Sequence, residues 1–250
     1  MTLKSVDDKP TSWYVSNMSE VEHSPAGKQD APKRDARAKL IAAALKLVRQ
    51  RGYAGTTVDE LCREAGVTKG AFFHHFKTKD DLAIAAANFW SESTGALFAS
   101  APYHNHADPL QRVLAYVDFR RDLIEGDVGE FTCLVGTMVQ EAYSVHPDIR
   151  AACQASIFGH AATLEADIEA AMEKYKVKAE WSAKSLALHT QAVLQGGFIL
   201  AKAQNSAAIA FESIAHLRRY IELLFGPKNV EPENDGPKKI GQGKTKERVR

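Results

Sequence analysis

TTVDELCREAGVTKGAFFHHFKTKDDL, Thr56 to Leu82, reads as two short helices joined by a tight turn and delivered into a third. Thr57 followed by Glu60 is a capping box, in which the Thr hydroxyl accepts from the Glu60 amide and the Glu carboxylate reaches back, so a helix starts there. Val58, Leu61, Cys62 and Ala65 recur at three- and four-residue spacing and share one buried face, leaving Asp59, Arg63 and Glu64 in water. Gly66 ends this helix, because glycine enters the left-handed conformation without steric cost. Val67 then packs inward, and Thr68 caps a second helix running to about His74. Two helices set steeply across a short Gly-containing turn form a helix-turn-helix, whose second helix enters the DNA major groove.

On that second helix, Thr68, Lys69, Gly70 and Ala71 face outward if Val67 and Phe72 face in. Lys69 can donate to guanine O6 or N7, and Thr68 or Ala71 can touch a thymine methyl. Gly70 costs a short helix roughly 1 kcal/mol against Ala, so it needs either close approach to DNA or close helix packing to justify it.

The segment Gly52–Leu82 resembles the N-terminal DNA-binding domain of the TetR family of bacterial transcriptional repressors. The resemblance rests on Gly52-Tyr53, Thr56-Thr57-Val58, Ala65-Gly66-Val67, Lys69-Gly70, Phe72-Phe73-His74-His75-Phe76 and Lys79-Asp80-Asp81-Leu82. Phe73 departs from it, standing where members commonly carry Tyr, so one hydroxyl contact to phosphate is absent. The resemblance implies that His74 faces the phosphates, that His75 helps close the motif, and that Thr57 and Lys79 contact phosphate from helix N-termini. Capping by Thr57 and a solvated charge on Lys79 are compatible with those roles.

Upstream, Leu40, Ile41, Ala44, Leu45 and Val48 form a helical stripe between Arg34 and Arg51. Lys33, Arg34, Arg37 and Lys39 at its start are either a grip on the DNA backbone or a solvated helix face. Downstream, Thr78 and Asp81 repeat the capping arrangement and begin a helix running to about Ser100, rooted in one module and ending in the next. Beyond a loop at Pro102–Pro109 lie amphipathic segments at about 109–125, 130–144, 147–176, 180–205 and 207–225. The expectation is an all-α chain of about nine helices. It comprises a flexible N-terminal arm (1–32), a three-helix helix-turn-helix DNA-binding domain (33–82), a larger helical effector-binding and dimerisation domain (83–226) and a disordered tail (227–250).

One recognition helix reads too few base pairs to find a site in a genome, so a homodimer on a palindromic double-stranded operator is expected. The pair 180–205 and 207–225, rich in Phe198, Ile199, Leu200, Phe211, Ile214, Leu217, Tyr220 and Ile221, either forms that interface or completes the monomer's own core. Trp90, Phe119, Phe131, Met138, Tyr143, Phe158 and Phe198 are candidate linings of a small-molecule effector pocket, or plain core. The runs Cys133–Gly136, Gln140-Glu141 and Gly197–Lys202 resemble the ligand domain of TetR relatives that include electrophile and redox sensors. Lys202, brought near Cys133, would favour its thiolate, whereas a buried free Cys is an inert small hydrophobe.

The net charge of +1 hides an uneven distribution: between Lys33 and Leu82 eleven Lys and Arg face six acids, leaving the remainder mildly acidic. Three cysteines make no disulfide framework and fit a reducing cytoplasm, and no secretory leader is visible. The most apolar run, Leu186–Ala203, is broken by His189, Gln191, Gln195 and Lys202 and is too polar to span a bilayer. The histidines lack metal-ligand spacing, and no cofactor fingerprint is present, so neither a metal nor a cofactor is expected. Two rivals remain: an enzyme using Cys133, for which no adjacent base is visible, and a DNA-binding module without regulation.

Overall fold

The computed structural model describes residues 31–226, with side chains from Ala36 onward. The expected arm and tail, and the side chains of Lys33 and Arg34, lie outside the described residues. Ten α-helices follow one another: α1 (Ala31–Arg51), α2 (Val58–Ala65), α3 (Lys69–His75), α4 (Lys79–Ala99), α5 (Pro109–Asp122), α6 (Val128–Phe131), α7 (Leu134–Ala142), α8 (Pro147–Lys174), α9 (Ala183–Gln204) and α10 (Ala208–Phe225). The count exceeds the expected nine by α6, a single turn closed by an Asp127–Glu130 capping box in what reads as a Gly-bounded loop. A 3-10 turn also shapes the loop at Pro102–Asn105. Among the described residues there is no strand, and no helix is long and apolar enough to cross a membrane.

The caps read from the sequence are present. Thr57 and Glu60 close a reciprocal box on α2, Gly66 takes φ 64° after it, Thr68 accepts from the Ala71 amide, and Thr78 and Asp81 box the start of α4. Each satisfies backbone groups that a helix end leaves orphaned.

Two apolar cores result. The first joins α1, α2, α3 and the first half of α4 through Leu40, Leu61, Phe72 and Leu82, and continues into α7 and the start of α8 through Leu134, Met138, Ile149 and Cys153. The core of the helix-turn-helix module therefore does not stop at Leu82. The second lies among the end of α4, α5, the latter part of α8, α9 and α10, around Phe98, Tyr116, Ile168, Leu194, Ile214 and Ile221. Cys133 is half-buried and packs against both. Long α8 runs alongside α4, α5, α7 and α9, which makes it the spine of the larger domain.

The turn between α1 and α2 is tied to that domain. Glu141, at the end of α7, accepts from the Ala54 amide at 2.6 Å, and its carboxylate fills the space that a side chain at Gly52 (φ 84°) would need. Lys79 Nζ donates to the carbonyls of Tyr53 (3.0 Å) and Thr56 (3.1 Å) while lying over the Tyr53 ring. Asp80 accepts from the Tyr53 hydroxyl and pairs with His146 Nδ1 at 2.7 Å, at the start of α8. Burial raises the Asp80 pKa, but the hydrogen bonds from Tyr53 and His146 outweigh it and hold the carboxyl below its ordinary range.

Candidate DNA interface and effector cavity

The first turn of α3 stands clear of the rest of the molecule. Thr68, Lys69 and Gly70 are exposed and Ala71 is half-buried, with Phe72 fully buried beneath them. A methyl group built at Gly70 meets only the Thr68 hydroxyl, at 3.7 Å, an ordinary contact. Helix packing therefore does not account for this glycine. Lys69 reaches back to Asp59 of α2 at 2.6 Å, an ion pair with both side chains about 60% exposed, so solvent screening leaves it weak and breakable by a phosphate or base edge.

Phe73 is 57% exposed, its ring edge-on to Phe72. His74 is exposed beside it, stacked edge-on against His75. Thr57 is exposed at the start of α2, its hydroxyl engaged with Glu60 in the capping box. Lys79, expected to contact phosphate or else to be a solvated charge, is engaged within the protein. Its ammonium is folded onto two backbone carbonyls and a tyrosine ring, so it ties α4 to the α1–α2 turn.

The larger domain contains a cavity of about 70 Å³ where the two cores meet. Three of the residues expected at an effector site line it: Trp90, Cys133 and Phe198. The others do not. Phe158 is 51% exposed on the outside of α8, one position beyond Ile157, which does face the cavity. Met138 is fully buried in the first core, Phe119 packs behind Phe98, Phe131 packs behind Phe198, and Tyr143 is exposed. Lys202 stays outside the lining and donates to the Thr137 hydroxyl at 2.7 Å; burial lowers its pKa, while the nearby Cys133 works in the opposite direction.

Sequence reasoning missed the polar part of this wall: Arg120, Ser156, His160, Gln191 and Gln195. Gln191 donates to the fully buried Tyr116 hydroxyl at 3.1 Å, and that hydroxyl lies 2.9 Å from His160 Nε2. Burial, helped by the Arg120 charge, pushes the His160 pKa down to about 3, so the ring is neutral and accepts from Tyr116. Gln195 occupies the space that a side chain at Gly136 would fill, which brings α7 and α9 together beside Cys133. Cys133 Sγ caps α7, accepting from the Gly136 amide at 3.4 Å.

A neutral buried histidine makes stability pH-dependent. Its folded pKa lies below the unfolded value of ~6.5, so below that pH the unfolded chain takes up a proton that the folded chain refuses. Stability from this group is complete above about pH 6.5 and falls by roughly 1.4 kcal/mol per pH unit toward pH 3. Urea unfolding at pH 7.5 and 5.0 should therefore show wild type losing about 2 kcal/mol more than His160→Gln, whose amide oxygen can still accept from Tyr116. Equal losses would show that the ring is not held neutral.

A helix-turn-helix is thus joined, through Lys79, Asp80, Glu141 and His146, to a larger helical domain that holds a cavity. Residues 40–86 match the sequence model of bacterial regulatory proteins of the tetR family, and residues 109–217 match that of the tetracyclin repressor-like C-terminal domain. Together these matches take up more than half of the 250 residues. The chain belongs to the TetR family.

Among relatives, the transcriptional regulator AcuR of Cereibacter sphaeroides is 30% identical over 113 residues, which is 45% of this chain and about half (52%) of AcuR. The HTH-type transcriptional regulator LmrA of Bacillus subtilis is 27% identical over 186 residues, covering 70% of this chain and 91% of LmrA. A TetR-family regulator from Agrobacterium tumefaciens superposes with a TM-score of 0.67 over 75% of this chain and 98% of that one; at 18% identity this likeness shows the fold alone.

Proposed function

We propose that this protein is a cytoplasmic, homodimeric repressor that binds a palindromic operator through Thr68–His74 and releases it when a small molecule occupies the cavity. The observation that carries the reading is Gly70: an exposed glycine in the first turn of α3, with no packing partner inside the protein, beside Lys69. Close approach of that backbone to DNA gives the residue a reason. Phe73 and His74 flank the same surface, and Thr57 with the amides at the start of α2 would meet the sugar-phosphate backbone in this reading.

The dimer reading is supported by α9 and α10. Their inner residues, Leu186, Leu194, Phe198, Ile214, Leu217 and Ile221, are buried in the monomer core. Ile199, Leu200, Phe211, Tyr220 and Leu223 remain between 39% and 72% exposed. Ala192 is exposed and Gly196 has open space above it on the same side of α9, which lets a partner helix approach closely.

Release would be mechanical. Cys133, on the cavity wall, caps the start of α7, and Glu141, in its last turn, holds the turn that leads into α2. A ligand that displaces the first end shifts the second, and differential affinity of the ligand for the two states sets the coupling, typically ~1 to 3 kcal/mol. A thiol-reactive ligand would act at the same end by adding to Cys133 Sγ, the least buried of the three described cysteines.

The test is titration of the full-length protein into duplex DNA from upstream of its own gene, with mass measured by sedimentation. Two chains per duplex, or a multiple of two, with affinity falling steeply with salt, is the expected result. Cys133→Ser should leave this binding unchanged and abolish release by N-ethylmaleimide alone. A monomer at micromolar concentration, or no binding at low ionic strength, would contradict the reading.

A further inference from the structure

The cavity is electrically one-sided. Arg120, in the last turn of α5, is its charged lining residue, and the lining contains no Asp or Glu. The guanidinium sits 5.2 Å from the Phe98 ring centroid and 5.9 Å from that of Phe198, held between two rings that also line the cavity. None of the ion pairs among the described residues includes Arg120, whereas Arg112 of α5 is paired with Asp167 and Arg218 of α10 with Asp118. Its hydrogen-bonding neighbour is the Tyr116 hydroxyl, a neutral group already shared with Gln191 and His160. A neutral His160 offers no compensating charge. Two aromatic faces and the helix C-terminus lower the cost of placing a cation there, but they leave its planar fork of N–H donors short of anionic acceptors.

From this we infer that the cavity takes a small monoanion, a short-chain carboxylate, with its head on Arg120. The inference rests on the reading of the cavity as the effector site and names the chemical class of the effector. An arginine fork matches the two oxygens of a carboxylate bidentately. A dianion would bring a second charge into a partly desolvated wall that has a single cation to meet it. Size sets the other limit. A cavity of about 70 Å³ is about half the ~150 Å³ that holds benzene, which leaves room for roughly three to five non-hydrogen atoms. Leu97 and Ile157 offer apolar contact to a short tail, and the Gln195 amide is a further polar neighbour for the head. A ligand seated this way also presses on Cys133 and Val135 at the start of α7.

The experiment is calorimetric titration and thermal unfolding of the full-length protein with sodium acetate and propionate, against the matched amides and sodium chloride at equal ionic strength. The carboxylates should bind and raise the melting temperature where chloride does not, with each amide at least ~10-fold weaker. Arg120→Gln should weaken carboxylate binding ~10- to 100-fold, and Arg120→Lys, which keeps the charge but not the fork, should fall between. Far-UV circular dichroism establishes that both variants are folded before they are compared. Equal binding of amides and carboxylates, with Arg120→Gln indistinguishable from wild type, would overturn the anion assignment and leave the effector cavity standing. No binding by either series would overturn the anion assignment, while the effector cavity stands or falls separately on release of DNA by N-ethylmaleimide.

Discussion

Phe72→Ala should cost the N-terminal module about 3 to 5 kcal/mol of stability and abolish DNA binding, the largest loss expected from any single substitution in the recognition helix. The ring is wholly buried, lies against Phe73 and Phe76, and is the side chain by which the seven-residue α3 is anchored to the first core. A helix this short has no stability of its own, because nucleation takes up what a few hydrogen bonds return. It is helical because Thr68 caps it and Phe72 pins it. The neighbouring position provides the control. Phe73 is 57% exposed, so Phe73→Ala should change stability by less than about 0.5 kcal/mol while still lowering affinity for DNA. Denaturant unfolding of the two variants decides the matter: similar losses for both would mean that α3 is seated differently from the arrangement described here.

The second large effect separates binding from folding. Lys69→Ala should weaken binding to a preferred duplex by ~10- to 100-fold and flatten the base preference at one position of each half-site, with no measurable loss of stability. The exposed partner it leaves, Asp59, is solvated either way. Gly70→Ala should do something a structural substitution does not. It should raise the stability of the module, by up to about 1 kcal/mol, because a methyl fits the free protein and Ala is the better helix former. It should also lower DNA affinity, because that methyl now stands between the helix backbone and the groove. Fluorescence anisotropy with a labelled duplex, alongside thermal unfolding, reads both quantities. If Gly70→Ala binds as tightly as wild type, close backbone approach is not the reason for the glycine.

The architecture around these residues was legible where a local rule acts on a few consecutive positions. The boxes Thr57–Glu60 and Thr78–Asp81 and the left-handed Gly66 announce helix ends without reference to anything distant. The apolar stripe on α1 does the same for burial, since Leu40, Ile41, Ala44, Leu45 and Val48 are all in the core. What lay beyond the sequence was which of several apolar residues on a long helix faces in. On α8 the pattern offers both Ile157 and Phe158, and the larger ring is the one left outside. On α9 and α10 the pattern does not separate the residues buried in the monomer, Leu194 and Ile214, from those left exposed, Ile199 and Leu223.

The polar wall of the cavity did have a signal, of a kind that aromatic residues do not give. Arg120 falls on the stripe Val113, Tyr116, Val117 of α5, and His160 follows Ile149, Cys153 and Ser156 on α8 at helical spacing. Gln191 and Gln195 sit among Ala187, Leu194 and Phe198 on α9. Polar groups on a face that is otherwise buried must be satisfied by one another or by a ligand, and these four converge from three helices. Lys79 illustrates the opposite limit: its spacing fits a charge in solvent, and only the path of the α1–α2 turn shows that two carbonyls and a ring claim it.

The most direct test of the account is selection by the full-length protein from a pool of random-sequence duplex DNA, run in parallel with wild type and Lys69→Ala. Wild type should enrich a palindrome with two major-groove half-sites, and Lys69→Ala should enrich the same palindrome with the base preference lost at one position in each half. Failure to enrich any sequence, or an identical consensus from both proteins, would contradict the placement of that exposed turn in the groove.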